Sequence, residues 1–145
     1  MRSLLLALLG LTVTLPAQDI VIYGGTSGGI TAAIQAAREG RTAVLIEPTQ
    51  FLGGLTTGGL GATDIGNKKA IGGLSREFYT GIGTHYADSA KWVHQTRADY
   101  FSRRPHGNAA DEGTMWTFEP HVASALYDRM LKAAGDKVTV VFGER

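Results

Sequence analysis

The chain has 145 residues, with 14 Lys plus Arg against 13 Asp plus Glu and a formal net charge of +1. That balance argues against the clustered basic face of a nucleic-acid grip. The absence of cysteine excludes disulfides, thiolate metal sites and a thiol nucleophile. Glycine occurs 20 times, about twice its ~7% average share, and its clustering points to loops shaped by the backbone.

Residues 1–17 (MRSLLLALLGLTVTLPA) read as a signal peptide. Arg2 supplies a basic start, 4–13 is an apolar run too short to span a bilayer, and Ala17 is the small residue before a cut. The competing reading is a short membrane anchor. Export predicts a secreted or periplasmic protein, with no stable membrane span once the signal is cleaved. The mature part, 18–145, is then a single domain.

Residues 19–23 (DIVIY) predict a buried strand closed by Gly24. Residues 28–40 predict a helix, with Ile30, Ala33, Ile34 and Ala37 at helical spacing and Gly40 as its stop. Residues 42–46 (TAVLI) predict a second buried strand, completing a βαβ unit. A glycine-rich stretch without periodicity follows. Leu74, Phe78, Ile82 and Tyr86 then recur in four-residue steps and predict a helix over 73–87, against which the interior Gly81 and Gly83 count. Residues 88–116 read as irregular surface, including Trp92 and the pair Arg103 and Arg104, while Trp116 reads as core. Pro120 opens a helix over 120–134, and 138–142 (VTVVF) is a third buried strand. The class is α/β, a Rossmann-like parallel sheet flanked by helices.

The sharpest motif is Gly24, Gly25, Thr26, Ser27, Gly28 and Gly29, between the first strand and its helix. Gly24 suits the tight turn out of the strand, and Gly29 suits close helix–strand packing. The helix N-terminus offers unpaired amides and a partial positive charge to a pyrophosphate. The usual middle glycine is here Thr26, whose hydroxyl, like that of Ser27, can donate instead. Glu47 closes the second strand 18 residues after Gly29. A carboxylate there accepts from ribose hydroxyls and repels a 2′-phosphate, so a dinucleotide other than NADP is expected. The bland alternative is a glycine turn that binds nothing and a solvated strand-end acid.

A second cluster, 53–61 (GGLTTGGLG), holds five glycines and two hydroxyl residues in nine positions. Such a backbone can lie against a flat or anionic ligand. An NAD dehydrogenase usually proceeds directly from the ribose acid to another βα unit; the alternative is a mobile surface loop.

The stretches DIVIYGGTSGGITAAIQAAREGRTAVLIEP, FLGGLTTGGLGATDIGNKKAIGGLSREFY and WTFEPHVA together resemble the exported FAD-dependent oxidoreductases. The resemblance runs from about residue 18 to the C-terminus and includes the threonine at the middle of the loop. It implies a glutathione-reductase-type FAD domain, of which this chain is the N-terminal part. It further implies that residues Gly24 to Gly29 hold the pyrophosphate and Glu47 the adenosine ribose. Gly53, Gly54, Leu55 and Thr56 would lie near the ribityl chain and flavin. The implied activity is flavin-mediated electron or hydride transfer on a small-molecule substrate. Some relatives in the broader group carry [4Fe–4S] clusters, for which this chain has no cysteine ligands.

The residues themselves leave rivals open: an NAD-dependent dehydrogenase, a methyltransferase, or a non-catalytic nucleotide-binding fragment. Against the methyltransferase, Tyr23 stands before Gly24 where an acid is usual. Asp64, Asn67, Lys68 and Lys69 are candidates to approach a flavin or substrate, while Arg76 and Glu77 read as a surface pair. His85, His94, His106 and His121 lack metal-ligand spacing, and Phe118-Glu119-Pro120 reads as a helix start.

Overall fold

The computed structural model describes residues 17–144 except 65, 104–109 and 112. The signal-peptide segment therefore lies outside the described residues, apart from Ala17. Strand β1 (Ile20–Tyr23) leads into helix α1 (Ser27–Arg38) and strand β2 (Ala43–Glu47). Helix α2 (Gly73–Ala87), the short helix α3 (Arg97–Ser102) and a two-residue hairpin, β3 (Ala110–Asp111) and β4 (Thr114–Met115), follow. Helix α4 (Pro120–Ala133) then returns the chain to strand β5 (Val138–Phe142).

The three long strands form one parallel sheet in the order β1-β2-β5. This matches the α/β class expected from the βαβ pattern. Burial differs from the sequence reading, because only β2 is central. Its Ala43, Leu45 and Glu47 are buried beneath α1. By register, Ile20 and Ile22 share that face, while Val21 and Tyr23 share the opposite one with Val44 and Ile46. On edge strand β1, Val21 is 66% and Tyr23 64% exposed. Strand β5 is likewise only partly covered. An apolar β-branched run cannot report its place in strand order, which is why both outer strands read as buried.

Helices α1, α2 and α4 enclose the core. Ile30, Ile34, Phe78, Ile82, Val122, Leu126 and Tyr127 all belong to it. Phe78 is its aromatic centre, stacked on Tyr127 at 4.5 Å and edge-on to Phe118 and Tyr79. Apolar burial of this kind contributes roughly 25 cal/mol per Å².

The region read as irregular surface is more ordered than its polarity suggests. Trp92 is half-buried, packs beside Tyr86, Tyr100 and Phe101, and donates Nε1–H to the Tyr86 carbonyl at 2.9 Å. Thr114 and Met115 are buried too, and Trp116 is fully so, as a core residue should be. Arg103 is exposed; Arg104 lies outside the described residues. Arg76 and Glu77 are not partners in the way expected. Glu77 pairs with Arg38 of α1 at 2.7 Å, whereas Arg76 lies over the Trp116 ring. Among the described residues, no helix is long and apolar enough to cross a membrane.

Candidate functional site

The site grows from the carboxyl ends of β1 and β2. The chain leaves β1 at Gly24 with φ +101°, a left-handed conformation that only glycine adopts without strain. Thr26 then caps α1. Its backbone is extended and its Oγ1 accepts from Gly29 N at 3.3 Å. The hydroxyl expected to face a phosphate thus first satisfies one of the orphan amides of the helix start. At Gly29 a Cβ would collide with the Gly24 carbonyl and press on Leu45. The close helix–strand approach inferred from the motif is therefore real. Gly28 looks onto open space, with only Thr26 Oγ1 near it.

Glu47 is buried, at 8% exposure, and turns inward. Oε2 accepts from Gly25 N at 2.7 Å, and Oε1 accepts from both the amide and the hydroxyl of Thr49, at 2.8 and 2.7 Å. The Thr49 hydroxyl, the Thr49 amide and the Gly25 amide together hold its pKa below the ordinary carboxylate value, against the opposing effect of burial. An ionised carboxylate offers about four acceptor positions. Three are filled by the protein, so Glu47 is first of all the pin between β2 and the glycine turn. A Cβ at Gly25 would press on the tip of the Leu52 side chain and crowd Glu47.

The second glycine cluster docks on the first. Gly53 N donates to Gly25 O at 2.7 Å, and Thr26 and Gly53 form a parallel bridge. Ser27 Oγ donates to Gly53 O at 3.2 Å and lies 2.7 Å from Thr56 Oγ1. With the Ser27 proton given to Gly53, Thr56 is the donor in the shorter bond. Gly53 has φ +100°, and Gly54 to Thr56 form one turn of 3-10 helix, over which Thr57 Oγ1 bonds the Leu52 carbonyl. Leu55 stands on the outside of this turn, 72% exposed. All eleven candidate residues therefore gather at one end of the sheet.

A third stretch completes the assembly. Gly61 O accepts from Phe118 N at 2.8 Å, Ala62 bridges Thr117, and Thr63 N donates to Trp116 O at 3.1 Å. This short antiparallel ladder ties the tail of the second cluster to the start of α4. Sequence reasoning missed Tyr127, which is buried under the junction. Burial pushes its hydroxyl pKa up, and Tyr79 adds to the rise, while the Ser27 and Thr56 hydroxyls beside it pull the other way. No motif in the sequence singles it out, since its neighbours in the site come from other elements. None of the other candidates is hydrogen-bonded to the two glycine loops in a contact described above. Asp64 and Lys69 are exposed, and Asn67 Oδ1 caps Lys69 N in a local turn. His106 lies outside the described residues.

The residues fit a dinucleotide. Gly24 and Gly28 leave open space before the helix start, the small side chains of Thr26 and Ser27 flank it, and the second glycine turn borders it. Among the described residues no group of His, Asp or Glu could hold a metal ion.

None of the curated proteins matches the chain. Among solved structures, one match is the 3-ketosteroid-delta4-(5alpha)-dehydrogenase of Rhodococcus jostii RHA1 in complex with 4-androstene-3,17-dione. Identity is 16% and the TM-score 0.41, over 89% of this chain and 39% of that one. The chain thus spans well under half the length of that enzyme. The family described as FAD dependent oxidoreductase matches residues 19–145. By this match over nearly its whole length, the chain belongs to the FAD dependent oxidoreductases.

Proposed function

We propose that this chain forms the N-terminal, FAD-holding part of an oxidoreductase with a glutathione-reductase-type FAD domain. The observation that carries the reading is the hydrogen-bonded junction of the two glycine loops at the amino end of α1. In this reading the pyrophosphate lies over residues 24–29, receiving amide donors and the positive end of the helix dipole. Glu47 holds the loop in shape and offers its remaining acceptor position to the adenosine ribose. Gly53, Gly54 and Thr56 line the ribityl chain, and exposed Leu55 gives the flavin an apolar neighbour. Bound FAD would supply hydride and electron transfer to or from a small-molecule substrate. The chain's own part is to bind, orient and shield.

Purification of the full chain with added FAD tests this. Flavin absorbance that stays with the protein through gel filtration supports the reading; a colourless protein with no measurable affinity for FAD overturns it. We also propose export, on the strength of Arg2 and the apolar run over 4–13. N-terminal sequencing of the protein recovered outside the cytoplasm should begin near Gln18.

A further inference from the structure

We propose that the cleft between the end of α2, the 88–95 segment and the start of α4 binds a neutral saccharide. This inference does not depend on the flavin reading, since none of the cleft's lining residues belongs to the two glycine loops or is Glu47. The cavity measures about 610 Å³, within the ~300–1,000 Å³ usual for small-molecule sites.

One wall is aromatic. The Trp92 ring is fixed by its bond to the Tyr86 carbonyl and lies 5.4 Å from the Tyr86 ring and 5.2 Å from that of Tyr100. A held aromatic surface suits the C–H face of a pyranose. The polar groups around it are His85, His94, Gln95 and Glu119. A neutral imidazole and an amide each present both a donor and an acceptor, which is the pairing that sugar hydroxyls require. Glu119 is already oriented. Tyr86 Oη donates to its Oε2 at 2.7 Å and accepts from its backbone N at 3.0 Å. Its other oxygen is left to accept from a ligand hydroxyl.

Charge then selects the ligand class. Burial lowers the pKa of His85, as do the nearby Lys91, Arg129 and His121, against the pull of Glu119. These effects favour the uncharged form of His85. Among the described residues, Lys91 and Glu119 are the basic and acidic side chains lining the cleft, of opposite sign. Sugar hydroxyls can accept from the one and donate to the other without bringing a charge of their own.

Saturation-transfer NMR and tryptophan fluorescence on the full chain test this, with glucose and cellobiose as probes and glucuronate and glucosamine as charged controls. The chain has two tryptophans. Trp116 is fully buried, so a fluorescence change reports Trp92. The expected result is saturable binding of a neutral probe with Kd of order 1 mM, and binding of the charged controls that is weaker. Trp92→Leu should reduce binding at least about tenfold, and Lys132→Ala, on the exposed side of α4 and outside the cleft, should leave it unchanged. Should Trp92→Leu fail to fold, the exposed pair His94→Ala and Gln95→Ala carries the test, with severalfold weakening expected. No saturable response to either neutral sugar, or tighter binding of glucuronate than of glucose, overturns the proposal. Repeating the titration with and without FAD separates it from the flavin reading.

Discussion

Ser27 Oγ lies 2.7 Å from Thr56 Oγ1, joining the first turn of α1 to a loop 29 residues later. This contact, with the Gly53 amide on the Gly25 carbonyl, makes one surface from two loops. Ser27→Ala and Thr56→Val should each lower FAD affinity about tenfold, equivalent to ~1.4 kcal/mol, with unfolding little changed. The double variant should lose less than the sum, because both singles break the same bond. Flavin fluorescence titration reads this, and strictly additive losses would show that the pair does not act as a unit.

Gly29→Ala adds a single methyl group, yet that methyl meets the Gly24 carbonyl. Relieving the clash moves α1 away from β1 and spoils the turn at Gly24. A loss of about 1–3 kcal/mol is expected, together with loss of bound flavin. Urea unfolding and absorbance of the same sample check both, and an unchanged midpoint would mean that the helix has room the packing does not show.

Glu47 makes stability depend on pH in a definite direction. Its folded pKa lies below the ordinary value of 4.5, so the unfolded chain binds the proton more tightly. The stabilisation is full above 4.5 and is lost as pH falls through the folded value. Asp19 and Glu77 are lowered too, so the informative quantity is the difference between wild type and Glu47→Gln. Wild type should lose its urea midpoint more steeply below 4.5, and the two profiles should converge at the acid end. Parallel profiles would remove the pin from Glu47. At neutral pH the variant should cost about 2 kcal/mol, since the Gly25 amide then loses its charged acceptor.

The interior glycines of α2 lower its helix propensity, but packing requires them. A Cβ at Gly83 would strike the Gly113 carbonyl, and one at Gly81 would press on Leu126. Gly83→Ala improves intrinsic propensity by about 1 kcal/mol but should still destabilise the chain, by roughly 1–2 kcal/mol. Thermal unfolding decides, and a raised midpoint would mean that the hairpin yields.

The βαβ unit is legible in sequence because its signals are local: a β-branched run, a glycine turn, an apolar stripe and a strand-end acid all fall within 19–47. Gly81 and Gly83 mislead for the opposite reason, since what requires them is the hairpin and α4 packing from far along the chain. Trp92 escapes a sequence reading for the same cause: its aromatic partners come from two other segments, α2 and α3, at no periodic spacing from it. Within the site, the loops themselves are visible, but not that Glu47 spends most of its acceptor capacity on Gly25 and Thr49. Tyr127 carries no local signal at all, because its partners Ser27 and Thr56 lie on other elements.

Strand β5 adjoins β2 in the sheet, with Phe142 opposite Glu47, although most of the chain lies between them. Closing so long a loop is entropically slow, so β5 is expected to gain its pairing after α2 and α4 have packed. The β1-α1-β2 unit needs no such wait. Refolding should therefore show two clocks, a fast one for the turn that faces the nucleotide and a slower one for completion of the sheet.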